Sequence, residues 1–446
     1  MLRTQWFRLL CGITLFFCLL AGSVIYRNLP RPPLNAILIT LGTTRADHLG
    51  CYGYQRAQTP ALDALAKNGG LFEKAYTSVP LTLPAHTTMF TSLYPPEHGL
   101  RINGQCRLGD DVPVLAEILK NQKYHTGAFL ASFALNSKFG LSRGFDTYDD
   151  AFEAANTPQQ SQPARRDGKS VMDAALEWLN QRRTQPFFCW IHLADPHFPY
   201  NARREIFGEA FAERPYDAGI AFADLQIKRL TEFLQRHRLS KQTLIVVVGD
   251  HGEGLMEHGE SQHGRKLFNS TLRVPLIVAG PDFIMPGIRV AAPVSHVDVA
   301  PTILLGLGFR PAMPRYRGIP LLAALAGKPV SSRVFHIETR LAFEEGHGNI
   351  LVGLVSADAK YITGAEPELY NLVQDPGEMI NVAAAQEMEL RRNASLLRDG
   401  QQNMQLRDAP FVQLTSAEKS LLRIDEFDSE TIGTPISPSP AAPKSE

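Results

Sequence analysis

Short apolar runs alternate with amphipathic segments along most of the chain. An apolar run of about four to eight residues between turn residues is typical of a buried strand, whereas apolar residues recurring every three or four positions predict a helix. Strands are predicted at residues 36–41, 71–76, 187–193 and 244–248, and helices at 59–67, 112–121, 170–181 and 216–234. This alternation predicts an α/β fold with a doubly wound, mostly parallel sheet flanked by helices.

The pattern changes near residue 331. From there, three short apolar runs predict a small antiparallel sheet with a closing helix, and they lie at residues 334–337, 350–355 and 360–362. We therefore predict a large α/β domain over residues 34–330 and a C-terminal subdomain over 331–424. Residues 425–446 contain many prolines and serines and few apolar residues, which predicts a disordered tail.

The N-terminal 33 residues follow a third pattern. An 18-residue apolar run at residues 9–26 lies between two pairs of arginines and is long enough to span a bilayer. We expect residues 1–33 to hold an uncleaved membrane anchor and linker, with the body on the periplasmic side of a bacterial inner membrane. The small residues Ala21 and Ser23 leave a cleaved signal peptide, and hence a secreted protein, as the alternative.

The composition excludes some classes of protein but does not identify a function. With 446 residues and 44% hydrophobic content, the chain can bury a large core. Lys plus Arg and Asp plus Glu balance at 45 each without long runs of one sign, so no nucleic-acid partner is expected. Outside the N-terminal run, the cysteines Cys51, Cys106 and Cys189 match no zinc or redox spacing, and a Cys51–Cys106 disulfide remains an open alternative.

Polar residues directly follow three of the predicted strands. They form the segments G-T-T-R-A-D after residue 41, A-D-P-H after 193 and G-D-H-G-E after 248. Because ligand sites in open α/β sheets form beyond the carboxyl ends of strands, these segments are candidates for one site. Asp250 and His251 can offer a carboxylate and an imidazole to a divalent cation, although a capped loop explains the same residues.

A fourth segment, P-L-T-L-P-A-H-T-T, places a hydroxyl at the start of a helix. Pro84 suits the first turn of a helix that runs to about residue 93, so Thr82 lies at its entrance. The positive end of the helix dipole favours an anionic ligand there, and a metal or base could activate the hydroxyl as a nucleophile. The simpler alternative is that Thr82 only caps the helix.

Taken in order, these segments resemble the alkaline phosphatase/sulfatase superfamily. The resemblance covers about residues 35–385 and is carried by A-I-L-I-T-L-G-T-T-R-A-D-H-L-G-C-Y-G-Y, L-T-L-P-A-H-T-T-M-F-T-S-L-Y-P-P-E-H-G and V-G-D-H-G-E-G-L-M-E-H-G-E. It implies an alkaline phosphatase-like fold with Thr82 at the nucleophile position and Asp250 and His251 as metal ligands. The frame that reads C-x-P-x-R in formylglycine sulfatases reads T-L-P-A-H here, so no formylglycine is expected.

The resemblance also implies contacts to the transferred group. Asn103, His197 and His263 match residues that bind the anion, with Lys266 as a weaker match. Taken alone, these four residues are equally typical of turns, helix caps and solvated loops.

One position departs from the pattern that the resemblance implies. The first strand of the family normally ends in a metal-binding aspartate, and this chain has Gly42 there. We hypothesise that Asp195 supplies the second carboxylate, because it follows a neighbouring predicted strand.

These observations predict a metal-dependent hydrolase or transferase of phosphate or sulfate esters that acts through Thr82. Mixed Asp and His ligands favour zinc or manganese, and calcium is compatible with the family. The substrate would be an anionic ester such as an envelope glycan or a lipid headgroup. Because Gly42 replaces a ligand, the alternative is a catalytically degenerate, membrane-anchored protein that only binds anions.

Overall fold

The long apolar runs form the centre of a large sheet. In the computed structural model, which describes residues 34–151, 165–310, 316–364 and 366–426, residues from Asn35 onward form one compact unit. The strands of its larger part are β1 Asn35–Leu41, β2 Gly70–Phe72, β3 Ala75–Tyr76, β4 His125–Phe129, β5 Thr147–Asp149, β6 Phe187–Leu193, β7 Thr243–Gly249, β8 Arg273–Val274, β9 Leu276–Ala279, β10 Ile288–Val290 and β11 Val294–Ser295.

Eight of these strands form one sheet in the order β10-β2-β9-β7-β1-β6-β4-β5. Neighbours from β7 to β5 are parallel, whereas β9 runs antiparallel to both β7 and β2. The remaining strands β11, β3 and β8 form a small second sheet. The predicted α/β fold with a mostly parallel sheet is therefore confirmed.

Helices cover the sheet on both faces. Successive side chains of a strand point to opposite faces, so the run in β1 sends Leu38 into one core cluster and Ile37 and Ile39 into the other. This burial on both faces explains why polar and apolar residues do not alternate along the central strands. The helices are Pro60–Asn68, Thr82–Thr91, Pro95–His98, Leu115–Asn121, Gly168–Arg182, Arg204–Phe207, Pro215–Arg236, Asn269–Leu272, Val299–Gly306, Leu322–Leu325, Leu341–Glu344, Glu387–Gln402 and Ser416–Glu426.

Most predicted elements match the structure to within one or two residues, and two differ more. The strand expected at residues 71–76 is divided into β2 and β3, which belong to different sheets. The helix expected at residues 112–121 begins at Leu115, where the Glu117 side chain accepts a hydrogen bond from the N–H of Val114 at 3.1 Å.

A small antiparallel sheet follows the large domain, as predicted. Its strands, in sheet order, are β12 Phe335–Thr339, β13 Leu351–Val355, β14 Ala359–Thr363 and β15 Glu368–Asn371. One face packs on the large domain through residues such as Ile337 and Ile362, and the helix Glu387–Gln402 covers the other face. The structure adds β15, which the sequence patterns did not indicate.

After that helix the chain returns to the large domain. Residues 405–426, here called the C-terminal strap, pair with the loop after Asn103, since the N–H of Arg107 donates to Pro410 and that of Val412 to Gln105. Leu422 of the strap is buried in the core of the large domain.

The remaining sequence expectations concern the two ends of the chain and the cysteines. The predicted anchor at residues 9–26 and residues 427–446 of the predicted tail lie outside the described residues, whereas residues 425 and 426, predicted to be disordered, belong to the helix Ser416–Glu426. Over the ranges that the structure covers, no helix combines the length and hydropathy needed to cross a bilayer. Cys51 and Cys106 are free thiols, so the alternative of a disulfide between them is wrong.

Candidate active site

Three parallel strands end side by side at one edge of the large sheet. In the registers of β1 with β6 and β7, Leu41 lies opposite Leu193 and Gly249. The pairing extends past the strand ends, because the N–H of Gly42 donates to Leu193 at 2.7 Å and that of Asp250 donates to Leu41 at 3.1 Å. The polar segments after these strands therefore share one edge, as the sequence predicts.

Thr82 is the first residue of the helix Thr82–Thr91, whose ten residues are all buried. Leu81 occupies the N-cap position and no side chain caps this end, so Thr82 is not the helix cap. Its hydroxyl oxygen instead lies 3.4 Å from Nε2 of His251. The helix start and the end of β7 thus bring the predicted nucleophile and an imidazole together.

The orientation of His251 determines what that imidazole can do. Nδ1 lies 3.0 Å from the carbonyl oxygen of Gly252, which only accepts, so Nδ1 carries the proton of the neutral ring. Nε2 is then an acceptor that faces both the Thr82 hydroxyl and Oδ2 of Asp250, the latter at 3.6 Å. Burial lowers the pKa of His251 to about 4, although the nearby Asp250 carboxylate acts to raise it. The ring is therefore neutral at pH 7.

Asp250 presents one carboxylate oxygen to the same place. Oδ1 accepts from the N–H groups of Thr43 at 3.0 Å and His251 at 2.7 Å, whereas Oδ2 is buried and has no hydrogen-bond donor within the described part of the chain. Burial opposes ionisation of this carboxyl, but the surrounding histidines outweigh it and lower the pKa of Asp250. A buried carboxylate with one unpartnered oxygen is suited to an additional cationic ligand.

Two histidines that the sequence analysis did not assign complete a potential metal site with Asp250. Ligand atoms of His86, His192 and Asp250 all lie within 4.8 Å of one another, and the three residues are buried. In the ranges that the structure describes, Nε2 of His86 also lacks a hydrogen-bond partner. The donor set fits a divalent cation that accepts both nitrogen and oxygen ligands.

The predicted anion-binding residues lie around the same helix end with different roles. Asn103 is buried, and its Oδ1 accepts from the N–H of Leu83 at 2.8 Å, so it fixes the first turn of the helix. His197 accepts at Nε2 from Arg165 at 2.9 Å, and Arg165 also donates to the carbonyl of Phe198. His197 therefore positions a guanidinium that the sequence analysis did not identify.

His263 is paired with Glu253, a second residue that was not predicted. Nδ1 of His263 lies 3.0 Å from Oε1 of Glu253, and the imidazole ring lies 4.1 Å from that of His251 and 5.2 Å from that of His197, measured between centroids. Complete burial raises the pKa of Glu253 to about 8, so this pair holds a proton at neutral pH.

Asp195 and Lys266 are engaged elsewhere. Asp195 accepts from Arg203 at 2.5 Å and from the N–H of Gly168 at 3.2 Å, and it is not part of the His–His–Asp group. The ammonium of Lys266 donates to the carbonyl oxygen of His258. The structure thus brings Thr82, Asp250 and His251 together, with Asn103, His197 and His263 built around them, and gives Asp195 and Lys266 other partners.

Several known proteins are similar to this chain in sequence or in fold. The chain is 25% identical over 408 residues to arylsulfatase K of Xenopus laevis, which covers 73% of this chain and 74% of that protein. It is 22% identical over 413 residues to a delta 4,5-hexuronate-2-O-sulfatase of Bacteroides thetaiotaomicron, covering 76% of this chain and 83% of the relative. The crystal structure of a phosphonate monoester hydrolase of Agrobacterium radiobacter superposes with a TM-score of 0.68 at 20% identity, covering 83% of this chain and 95% of that one.

The family model described as Sulfatase matches residues 34–308, more than half of the chain. That range includes every strand of the large sheet and all of the site residues described above. The chain therefore belongs to the sulfatase family of ester hydrolases.

Proposed function

We propose that the protein cleaves phosphate or sulfate esters through a covalent intermediate on Thr82. The observation that carries this proposal is the 3.4 Å approach of the Thr82 hydroxyl to Nε2 of His251. Since the proton of the neutral ring is on Nδ1, Nε2 has the free lone pair that a general base needs.

In this reaction the Thr82 hydroxyl donates its proton to His251 while its oxygen forms a bond to the phosphorus or sulfur atom. The bond from that atom to the ester oxygen breaks, and the leaving oxygen takes up a proton. Water then attacks the Thr82 ester, which releases the inorganic anion and restores the hydroxyl. An acceptor alcohol in place of water would make the same enzyme a transferase.

The surrounding residues supply the other requirements of the reaction. Arg165, held by His197, provides positive charge for the anionic group. The proton held between Glu253 and His263 is available to the departing oxygen. Asn103 keeps the first turn of the helix in place, and with it the position of Thr82.

A divalent cation at Asp250 fits the proposal, because Oδ2 of this buried carboxylate has no donor among the described residues. Such a cation would offset the negative charge of the substrate and stabilise charge that develops on its oxygens. Asp195 is left out of the proposed site because its carboxylate is paired with Arg203.

The relatives support an anionic ester as the substrate, since those named above include sulfatases and a phosphonate monoester hydrolase. Thr82 in place of a formylglycine precursor favours phosphorus esters over sulfate esters in this chain. We further propose that the body acts outside the cytoplasm on an envelope glycan or lipid headgroup, because the apolar run at residues 9–26 precedes it.

The test compares wild type with Thr82→Ala and Thr82→Ser on p-nitrophenyl phosphate, bis-p-nitrophenyl phosphate and p-nitrophenyl sulfate, each with added Zn²⁺ or Mn²⁺. Loss of the nucleophile should lower kcat by about 10³-fold or more, whereas serine retains a hydroxyl and should keep most of the activity. Accurate-mass spectrometry of the peptide containing Thr82, after acid quenching, should detect the phosphoryl or sulfuryl adduct.

Equal rates in wild type and Thr82→Ala would exclude this mechanism. Tight binding of a phosphate or sulfate ester without turnover by any of the three proteins would instead support the degenerate, anion-binding alternative.

A further inference from the structure

Hydrogen bonds determine which nitrogen of His86 can accept a ligand. Nδ1 lies 2.7 Å from the carbonyl oxygen of Thr82, one turn earlier in the helix, and must donate its proton to it. Nε2 of the neutral ring is then a lone pair, and it is buried without any partner among the described residues. A solvent-excluded nitrogen of this kind is costly unless something binds it.

His192 is anchored by a hydrogen bond between Nδ1 and a hydroxyl group. It lies in β6, and its Nδ1 is 3.0 Å from the hydroxyl of Thr40, which also accepts from the indole N–H of Trp190 at 3.0 Å. The ring packs edge-on against that of His86, with 4.9 Å between centroids. This anchoring leaves Nε2 of His192 as its coordinating nitrogen, and an anchored second nitrogen is typical of metal-bound histidines.

Gly42 gives the imidazole of His192 its space. A Cβ atom at position 42 would lie 3.3 Å from Cε1 of His192 and 3.2 Å from Cα and Cβ of Ala194. At these distances a side chain at position 42 would require His192 and Ala194 to shift by a few tenths of an ångström. The imidazole therefore lies directly beside the position from which an aspartate would extend.

We propose that His86, His192 and Asp250 form a three-ligand site for a borderline divalent metal such as Zn²⁺, in which His192 takes the place of the carboxylate that Gly42 cannot provide. Two imidazoles and one carboxylate select against calcium, which requires six to eight oxygen ligands. Three protein ligands leave a coordination position open, as in catalytic zinc sites.

Charge is consistent with this assignment. Asp250 supplies one negative charge to the group, and both imidazoles are buried beside it. The bound cation would also provide a partner for the unpartnered oxygen of Asp250.

This inference rests on the proposed function only in sharing Asp250, and metal content tests it without any turnover. Purified full-length protein would be stripped, equilibrated with equal concentrations of Zn²⁺, Mn²⁺ and Ca²⁺, dialysed and analysed by plasma mass spectrometry. We expect close to one zinc per chain in wild type, and about 100-fold weaker binding in His86→Ala and His192→Ala.

Two further variants serve as controls. Thr82→Ala should keep its zinc, which separates failure of the metal site from failure of the nucleophile. His98→Gln also removes a buried imidazole, but both nitrogens of His98 have protein partners, Thr88 and the N–H of Leu100. It should retain zinc, so a loss confined to the His86 and His192 variants would reflect ligation rather than general damage.

The double variant Gly42→Asp/His192→Ala provides the converse test. Removing the imidazole takes away one of the two close neighbours of a side chain at position 42, and we expect binding to return with a preference shifted from Zn²⁺ towards Mn²⁺ and Ca²⁺. If the histidine variants fail to fold, the absorption spectrum of cobalt-substituted wild type gives the answer, because a four-coordinate site with imidazole ligands produces intense visible bands. Preference of wild type for calcium, zinc retention by His192→Ala or the weak bands of a six-coordinate oxygen site would overturn the proposal.

Discussion

Single nitrogen and oxygen atoms of buried side chains determine the chemistry of this site. His86 and His251 each donate the Nδ1 proton to a backbone carbonyl, so Nε2 of each neutral ring keeps its lone pair. Glu253 and His263 hold a further proton between them, which is released when the buried carboxyl of Glu253 ionises. The proposed roles of His251 as base and His86 as ligand thus follow from which ring nitrogen the backbone binds. The proposed role of Glu253 as acid follows from the proton that it holds.

The pH profile should report the proton held by Glu253. Because burial raises its pKa to about 8, the carboxyl keeps its proton at pH 7 and loses it as the pH rises through that value. We expect kcat/KM of wild type to fall above pH 8 and the profile of Glu253→Gln to stay flat there at a lower rate, since the amide cannot ionise.

Glu260→Gln is the matched control for that profile. Glu260 is also buried, which raises its pKa to about 7, but its Oε1 accepts from the backbone N–H groups of Arg265 and Lys266. The alkaline decline should persist in this variant. An unchanged decline in Glu253→Gln would rule out the assigned acid.

Residue types at strand ends made part of this site predictable. Thr82 lies at a predicted helix start, and Asp250 and His251 follow the end of a predicted strand. Polar residues at such positions are unusual unless they serve a site. His192 lies inside the apolar run F-F-C-W-I-H-L and resembles a core residue, although an ionisable group in a strand buried on both faces is itself a signal. Arg165 has no local pattern, because only tertiary contacts bring it to His197.

At the level of elements, helices are anchored by side chains from distant parts of the chain. Asp224, in the helix Pro215–Arg236, accepts from the N–H groups of Ala61 at 3.0 Å and Leu62 at 2.8 Å, which are unsatisfied donors at the start of the helix Pro60–Asn68. This cap comes from more than 150 residues away, so the local sequence at residue 60 could not reveal it. The helix itself was predictable from its own pattern, but not this contact.

Asp224→Ala should therefore destabilise the fold without changing the site. Two buried N–H groups would lose their acceptor, which costs about 1–3 kcal/mol and lowers the midpoint of urea unfolding. Asp224→Asn keeps one acceptor oxygen and should lose less. A midpoint equal to that of wild type in the alanine variant would show that water replaces the cap at no cost.

At the scale of the whole molecule, the C-terminal strap contacts the loop that follows the site residue Asn103. Leu422 packs so closely on Gly104 that a Cβ there would lie 2.0 Å from its side chain, and Gly104 follows Asn103, which holds the helix of Thr82. Hydrophobic patterns predicted the large sheet and the C-terminal sheet, but not the small sheet of β11, β3 and β8. They did not indicate the strap, because its partners Gln105 and Arg107 are distant in the sequence.

Leu422→Ala should lower stability by about 2–4 kcal/mol through the cavity it leaves, and should reduce kcat because Asn103 loses support. Thermal unfolding and turnover of an aryl phosphate, measured on the same preparation, check both effects. Leu406→Ala is the matched control, since Leu406 is in the same strap but 74% exposed. Equal losses in the two variants would show that Leu422 has no special role.

The central position of β1 has a practical consequence. The chain enters the body at Asn35, at the amino end of this seven-residue strand, while Gly42 and the site lie at its carboxyl end. A strand of that length spans roughly 20 Å. A fusion partner joined directly at residue 34 would therefore start from the edge of the sheet opposite the site, which makes this position suitable for immobilising an active form of the protein.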